Sequence, residues 1–117
     1  MAVRKIELKK KNIDPWLDEM KDEQRIDLHE VVGCDIEIDK GFLYESKKYG
    51  TGFTFRFKLG DGRECFTTTF GAALIRQARE EIIPLLEQGD SVVVRVAKGT
   101  SKVYGSEYLY FAAAEED

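Results

Sequence analysis

The chain has 117 residues, of which 43 % are apolar, enough for one modest hydrophobic core and too few for two domains. A net charge of −4 argues against a uniformly basic nucleic-acid binder, since phosphate affinity comes from Lys and Arg. No apolar run approaches the roughly 20 residues of a membrane span, and the opening MAVRKIELKKK lacks the apolar segment of an export signal. Two widely separated cysteines, Cys34 and Cys65, predict reduced thiols in a cytoplasmic protein, without a disulfide framework.

Residues 1–25 read as an appendage. Val3, Ile6 and Leu8 alternate weakly with charges before the basic run Lys9–Lys11. Asp14-Pro15 is an N-cap followed by proline at the first helical position, so WLDEMKDE predicts a short acidic helix. Trp16, Leu17 and Met20 share its apolar side, which would either dock on the rest of the chain as a lid or meet a second subunit; the lid is preferred.

From Leu28 to Glu45 the pattern is strand-like, with Cys34, Ile36 and Ile38 alternating with Asp35, Glu37 and Asp39. Gly41 interrupts and invites a bulge or sharp coil, Phe42-Leu43-Tyr44 resumes, and SKKYGTG is a loop. Phe53, Phe55, Phe57 and Leu59 then alternate with Thr54, Arg56 and Lys58 up to Gly60-Asp61-Gly62. A two-residue Asp61-Gly62 turn would set Phe57 against Phe66, Phe55 against Thr68 and Phe53 against Phe70. Thr54, Arg56 and Lys58 would then face Thr69, Thr67 and Cys65. A three-residue loop would slip this register and place phenylalanines opposite Cys65, Thr67 and Thr69. The two-residue turn is preferred because it gathers Phe53, Phe55, Phe57, Phe66 and Phe70 on one core face.

Beyond Gly71 the period becomes helical: Leu74, Ile75, Ala78, Ile82, Leu85 and Leu86 form one stripe. Pro84 must kink or divide this helix near Ile83. Val92, Val94 and Val96 mark a fourth strand, GTSKVYGS a hairpin loop, and Tyr108–Ala112 a fifth strand.

Five strands with a helix between the third and fourth predict a β-rich α+β fold, all-β apart from that helix and the short N-terminal one. The order is that of the five-stranded OB Greek-key barrel. The expected domain spans 26–114, leaving 115–117 as an acidic tail. An SH3-like barrel is the main rival and has no place for so long a helix.

The segments TGFTFRFKLGDGRECFTTTFGAALIRQ and LLEQGDSVVVRVAKGTSKVYGSEYLYF resemble the OB-fold single-stranded DNA-binding proteins, particularly the small ones of bacteriophages and prophages. The likeness covers about the last three quarters of the chain, as a loose pattern match. The chain departs from the better-known bacterial members in lacking a long tail with a phenylalanine-ended acidic tip. The resemblance implies a non-catalytic role in DNA replication or recombination. In OB folds the ligand crosses strands 2 and 3 between the 1–2 and 4–5 loops. That selects Thr54, Arg56, Lys58, Thr67 and Thr69 on the open sheet face. It adds Lys47, Lys48 and Tyr49 from the first loop and Lys98, Lys102 and Tyr104 from the second. Lysines supply phosphate contacts and tyrosines a stacking surface. Lys40 to Ser106 carries 11 basic and 7 acidic residues against 7 and 15 elsewhere, which leaves room for a basic face.

Taken singly, each of these residues also suits a solvated strand or a barrel end; their convergence on one surface favours a single-stranded DNA or RNA ligand. The alternatives are a protein-interaction module, or an oligomeric structural protein associating through the N-terminal helix or strand edges. Catalysis is not expected. His29 is the only histidine, so a multi-histidine metal site is ruled out, and no motif joins it to Cys34 or Cys65 as base and nucleophile. The row Asp35, Glu37, Asp39 reads as the solvent side of a strand before it reads as a cation site. Gly60-Asp61-Gly62 matches neither phosphate-loop pattern. No cofactor is implied.

Overall fold

The computed structural model describes residues 15–103 and 105–114. Residues 1–14, with the Lys9–Lys11 run and the Asp14 cap, Tyr104 and the acidic tail at 115–117 lie outside the described residues. Five strands form one antiparallel sheet: β1 (Asp35–Ser46), β2 (Gly50–Lys58), β3 (Glu64–Thr69), β4 (Val92–Thr100) and β5 (Glu107–Ala113). Their order is β3-β2-β1-β4-β5. β1 serves both halves: Asp35–Ile38 pairs with β4, and Glu37 onward pairs with β2. The two hairpins leave that shared region in opposite directions, so the β1–β2 and β4–β5 tips project from opposite ends. β3 and β5 are edges and do not pair, and the sheet is not closed between them.

The expected first strand begins too early. Leu28–Val31 is a 3-10 turn, because the Asp27 carboxylate accepts the His29 N–H at 2.9 Å. The three-residue spacing of Leu28 and Val31 buries both. The irregularity in β1 falls at Asp39, where the register shifts between Ile38/Phe57 and Lys40/Arg56. An extra residue reverses the alternation. Ile36 and Ile38 face the core before it, Gly41 and Leu43 after it, and Phe42 and Tyr44 turn outward. Gly41 is needed for closeness, not for the bulge: a Cβ there would lie 2.8 Å from the Phe53 ring.

The β2–β3 register corrects the sequence expectation. Phe53, Phe55 and Phe57 pair with Thr69, Thr67 and Cys65, while Thr54 and Arg56 pair with Thr68 and Phe66. The Leu59 N–H donates to Arg63 O, the Gly62 N–H donates to Leu59 O, both at 2.9 Å, and Gly62 has φ 91°. Gly60-Asp61-Gly62 is therefore a three-residue loop with a left-handed glycine. Collecting all the phenylalanines on one face was the wrong criterion. Small partners opposite Phe53, Phe55 and Phe57 let those rings pack into one fully buried stack, with Phe53 and Phe55 centroids 4.6 Å apart. Ile36, Ile38, Leu74, Val96 and Phe111 complete the core around them.

The helical segment runs as α2 (Ala72–Gln77), a π-helical turn (Ala78–Ile82) and α3 (Ile83–Glu87). Pro84 lacks an N–H and its ring clashes with the carbonyl four residues earlier in a regular helix. The widened π turn just before it removes that conflict. Gly89 (φ 91°) ends the helix: its N–H donates to Leu86 O and that of Asp90 to Leu85 O, a Schellman closure.

Both sheet edges are partly covered. On β3, Ile26 N donates to Phe66 O at 3.1 Å, and Arg25 forms a parallel bridge with Phe66. On β5, the Gln77 amide imitates a neighbouring strand: Nε2 donates to Phe111 O at 2.7 Å and Phe111 N donates to Oε1 at 2.9 Å. Gln77→Ala would strand two part-buried backbone groups, at an expected cost of about 1–3 kcal/mol. Urea unfolding checks this, and a midpoint equal to that of the parent would contradict it.

Candidate functional site

The outer face of β1, β2 and β3 carries the residues of interest, and their placement differs from expectation. Thr54 is buried, its hydroxyl 2.8 Å from that of Thr68. Thr67 is buried on the core side opposite Phe55, and Thr69 lies on that same side, its Oγ1 accepting the Gly71 N–H at 3.3 Å. The register therefore takes both threonines off the outer face. Lys58 is exposed beside Glu64 and Glu37, its cross-strand partners.

Arg56 is on the outer face but already engaged. Its Nε and Nη2 donate to the two Asp39 carboxylate oxygens at 3.0 and 2.6 Å. Its guanidinium lies 5.9 Å from the Trp16 ring centroid, and its side chain is only 17 % exposed. The Asp39 bonds raise its already high pKa. This geometry makes Arg56 a bracket between the bulge and α1 (Pro15–Glu19), not an open phosphate contact. The acidic row is similarly occupied: Asp39 holds Arg56, and Asp35 accepts from Arg95 Nε at 2.8 Å. Among the described residues no group of three or more His, Cys, Asp and Glu side chains is placed to hold a metal.

The β1–β2 turn does present Lys47, Lys48 and Tyr49 to solvent. Ser46 Oγ organises it, accepting the N–H groups of Lys48 and Tyr49 at 3.2 and 3.1 Å. At the other hairpin, Lys98 Nζ is 3.6 Å from Glu107 and Lys102 is exposed. Tyr104 lies outside the described residues.

What the outer face holds instead is a row of aromatic rings. Trp16 and Phe42 have centroids 6.0 Å apart, Phe42 and Tyr44 6.2 Å, Tyr44 and Phe70 6.1 Å, and Phe70 and Tyr49 5.3 Å. The Lys48 ammonium lies 5.4 Å from the Tyr49 centroid and closes that end. Trp16 is buried against the other end, so the N-terminal helix docks on the sheet as the lid reading expected. Phe70 is 37 % exposed, and Phe66 is buried on this outer side beneath Arg25; neither joins the main core. Gly52 lies beneath the row: a Cβ there would come within 2.7 Å of Phe70 and 3.0 Å of Tyr44. Beside the rings runs a groove of about 630 Å³, lined chiefly by Phe42, Tyr44, Thr54, Phe66, Thr68 and Arg25.

Phe42, Tyr44 and Phe70 escaped the sequence reading because the Asp39 bulge and the three-residue loop together decide which way they point. Gly52 opposite Tyr44 was the available signal, since a strand glycine marks close approach by another group.

The thiols divide by environment. Burial raises the pKa of Cys65, whereas Cys34 is exposed. Iodoacetamide should therefore add one label to the folded protein, at Cys34, and a second only on denaturation. Rapid native double labelling, read by intact mass, would contradict this.

Comparison of the chain with protein-family models, curated proteins and solved structures finds no match. Site geometry therefore carries the functional reading. No described helix is long and apolar enough to cross a membrane.

Proposed function

We propose that the chain is a non-catalytic binding module for single-stranded nucleic acid, most readily DNA, acting on the outer face of β1, β2 and β3. The observation that carries the reading is the row Phe42, Tyr44, Phe70, Tyr49, stepped at 5.3–6.2 Å and ending at Lys48. Base stacking on such rings contributes about 1–3 kcal/mol per base and tolerates any sequence. The strand order, the shared long β1 and the helix between β3 and β4 suit an open OB barrel, whose ligands cross this face. A place in bacterial or phage DNA replication or recombination belongs to the same proposal, as does a cytoplasmic setting.

Fluorescence anisotropy with labelled oligo-dT at low salt tests it. Micromolar binding that weakens as salt rises is expected, because lysines contribute through counterion release. Absence of binding at tens of micromolar would sink the reading. An oligo-rU arm separates RNA from DNA.

The docking of Trp16 against Phe42 favours one second reading, a protein ligand whose apolar segment enters the same groove. The net charge of −4 suits it too. Nuclease-resistant capture of one stoichiometric partner, with no oligonucleotide binding, would select this alternative.

A further inference from the structure

We infer that Arg25 is a phosphate-binding residue closing the end of the strand path opposite Lys48; this rests on the nucleic-acid reading above. Arg25 falls in the segment that sequence reasoning sets aside as an appendage, yet its backbone is fastened to β3 on both sides. Gln24 Nε2 donates to Glu64 O at 3.2 Å, and Ile26 N donates to Phe66 O at 3.1 Å. The guanidinium rests over the Phe66 ring, 5.2 Å from its centroid. A guanidinium held on a ring keeps its N–H donors for an oxyanion, and its fork matches two phosphate oxygens. Arg56 is committed to Asp39, whereas Arg25 is exposed and rests its guanidinium on a ring face.

Arg25 also forms the wall between two grooves. One is the aromatic groove; the other, of about 320 Å³, contains Asp27 and Glu30. Carboxylates repel a phosphodiester chain, so the strand stays on the aromatic side and Arg25 takes the last phosphate it meets there. The path is thereby bounded by a cation at each end, with the rings between them.

Salt-dependent anisotropy with oligo-dT, on the full chain and on Arg25→Gln and Arg25→Lys, tests this. One single-strand phosphate contact contributes about 0.7 to the slope of log K against log salt. Arg25→Gln should therefore flatten the slope by about 0.7 and weaken binding about eightfold at ~50 mM salt relative to ~1 M. Arg25→Lys should keep the slope and lose about threefold in affinity with the fork. Loss of packing alone would not move the slope, and thermal melts establish that both variants are folded. If the parent binds and both variants bind with its slope and affinity, the inference is overturned and the nucleic-acid reading stands. If the parent does not bind, both fall together.

Discussion

Phe55→Ala is expected to cost about 3–5 kcal/mol of folding stability, the largest effect of any single substitution considered. Phe55 is fully buried at the centre of the aromatic stack. Its ring centroid is 4.6 Å from Phe53, 5.5 Å from Phe57 and 5.9 Å from Phe111. Removing it takes away apolar burial and leaves a cavity on whose far side Phe111 of β5 loses a ring contact. The neighbours cannot collapse into the space easily: Gly41 is already as close to Phe53 as the two strands allow, and β1 is held in place by pairing on both sides. Domains of this size have total stabilities of about 5–15 kcal/mol, so a fifth or more would be lost. Phe55→Leu keeps most of the volume and should cost less than about 2 kcal/mol. Urea unfolding followed by far-ultraviolet circular dichroism measures the difference. Trp16, the sole tryptophan, offers a second probe whose transition should coincide if unfolding is two-state. A loss below about 1 kcal/mol for Phe55→Ala would show that the stack is not the centre of the core.

Tyr44→Ala and Phe70→Ala should have the opposite signature. Both residues are 37 % exposed and each meets two other rings, so each should cost about 1–3 kcal/mol of stability for its two ring pairs, less than Phe55→Ala. Oligo-dT affinity should fall by about fivefold to 150-fold for each, the equivalent of ~1–3 kcal/mol of lost stacking. Phe70 touches both Tyr44 and Tyr49, so its loss should also weaken what Tyr49 contributes. The double variant Phe70→Ala/Tyr49→Ala should lose less than the sum of the singles. Leu85→Ala on α3, with comparable exposure, is the control and should bind as the parent does. Equal affinities for Leu85→Ala, Tyr44→Ala and Phe70→Ala would remove the aromatic row from the proposed interface.

Much of the architecture was legible in the residue pattern. Alternation identified the β2 phenylalanines as core, the glycine-bounded valine run as β4, and Pro84 as the site of a helix irregularity. These are local signals: side-chain period, a missing N–H and glycine punctuation act within a few residues. The candidate interface was less legible. Lys47, Lys48 and Tyr49 sit in the exposed turn where the SKKYGTG loop placed them. Thr67 and Thr69 were assigned to the wrong face by one residue of register, and Arg56 was taken for a ligand contact although it is bound to Asp39. Arg25, Phe42, Tyr44 and Phe70 were not selected at all.

The sequence by itself determined a five-stranded, β-rich domain with one interrupted helix, because burial period and backbone chemistry are written in consecutive residues. Only the tertiary structure decided which aromatics are core and which form a surface row. That choice turns on a one-residue bulge at Asp39 and a three-residue loop at Gly60-Asp61-Gly62, and each inverts every side chain beyond it. Such inversions are settled by the packing of strands distant in sequence: small partners opposite the β2 phenylalanines inside, and Trp16, Arg25 and Tyr49 covering the rings outside.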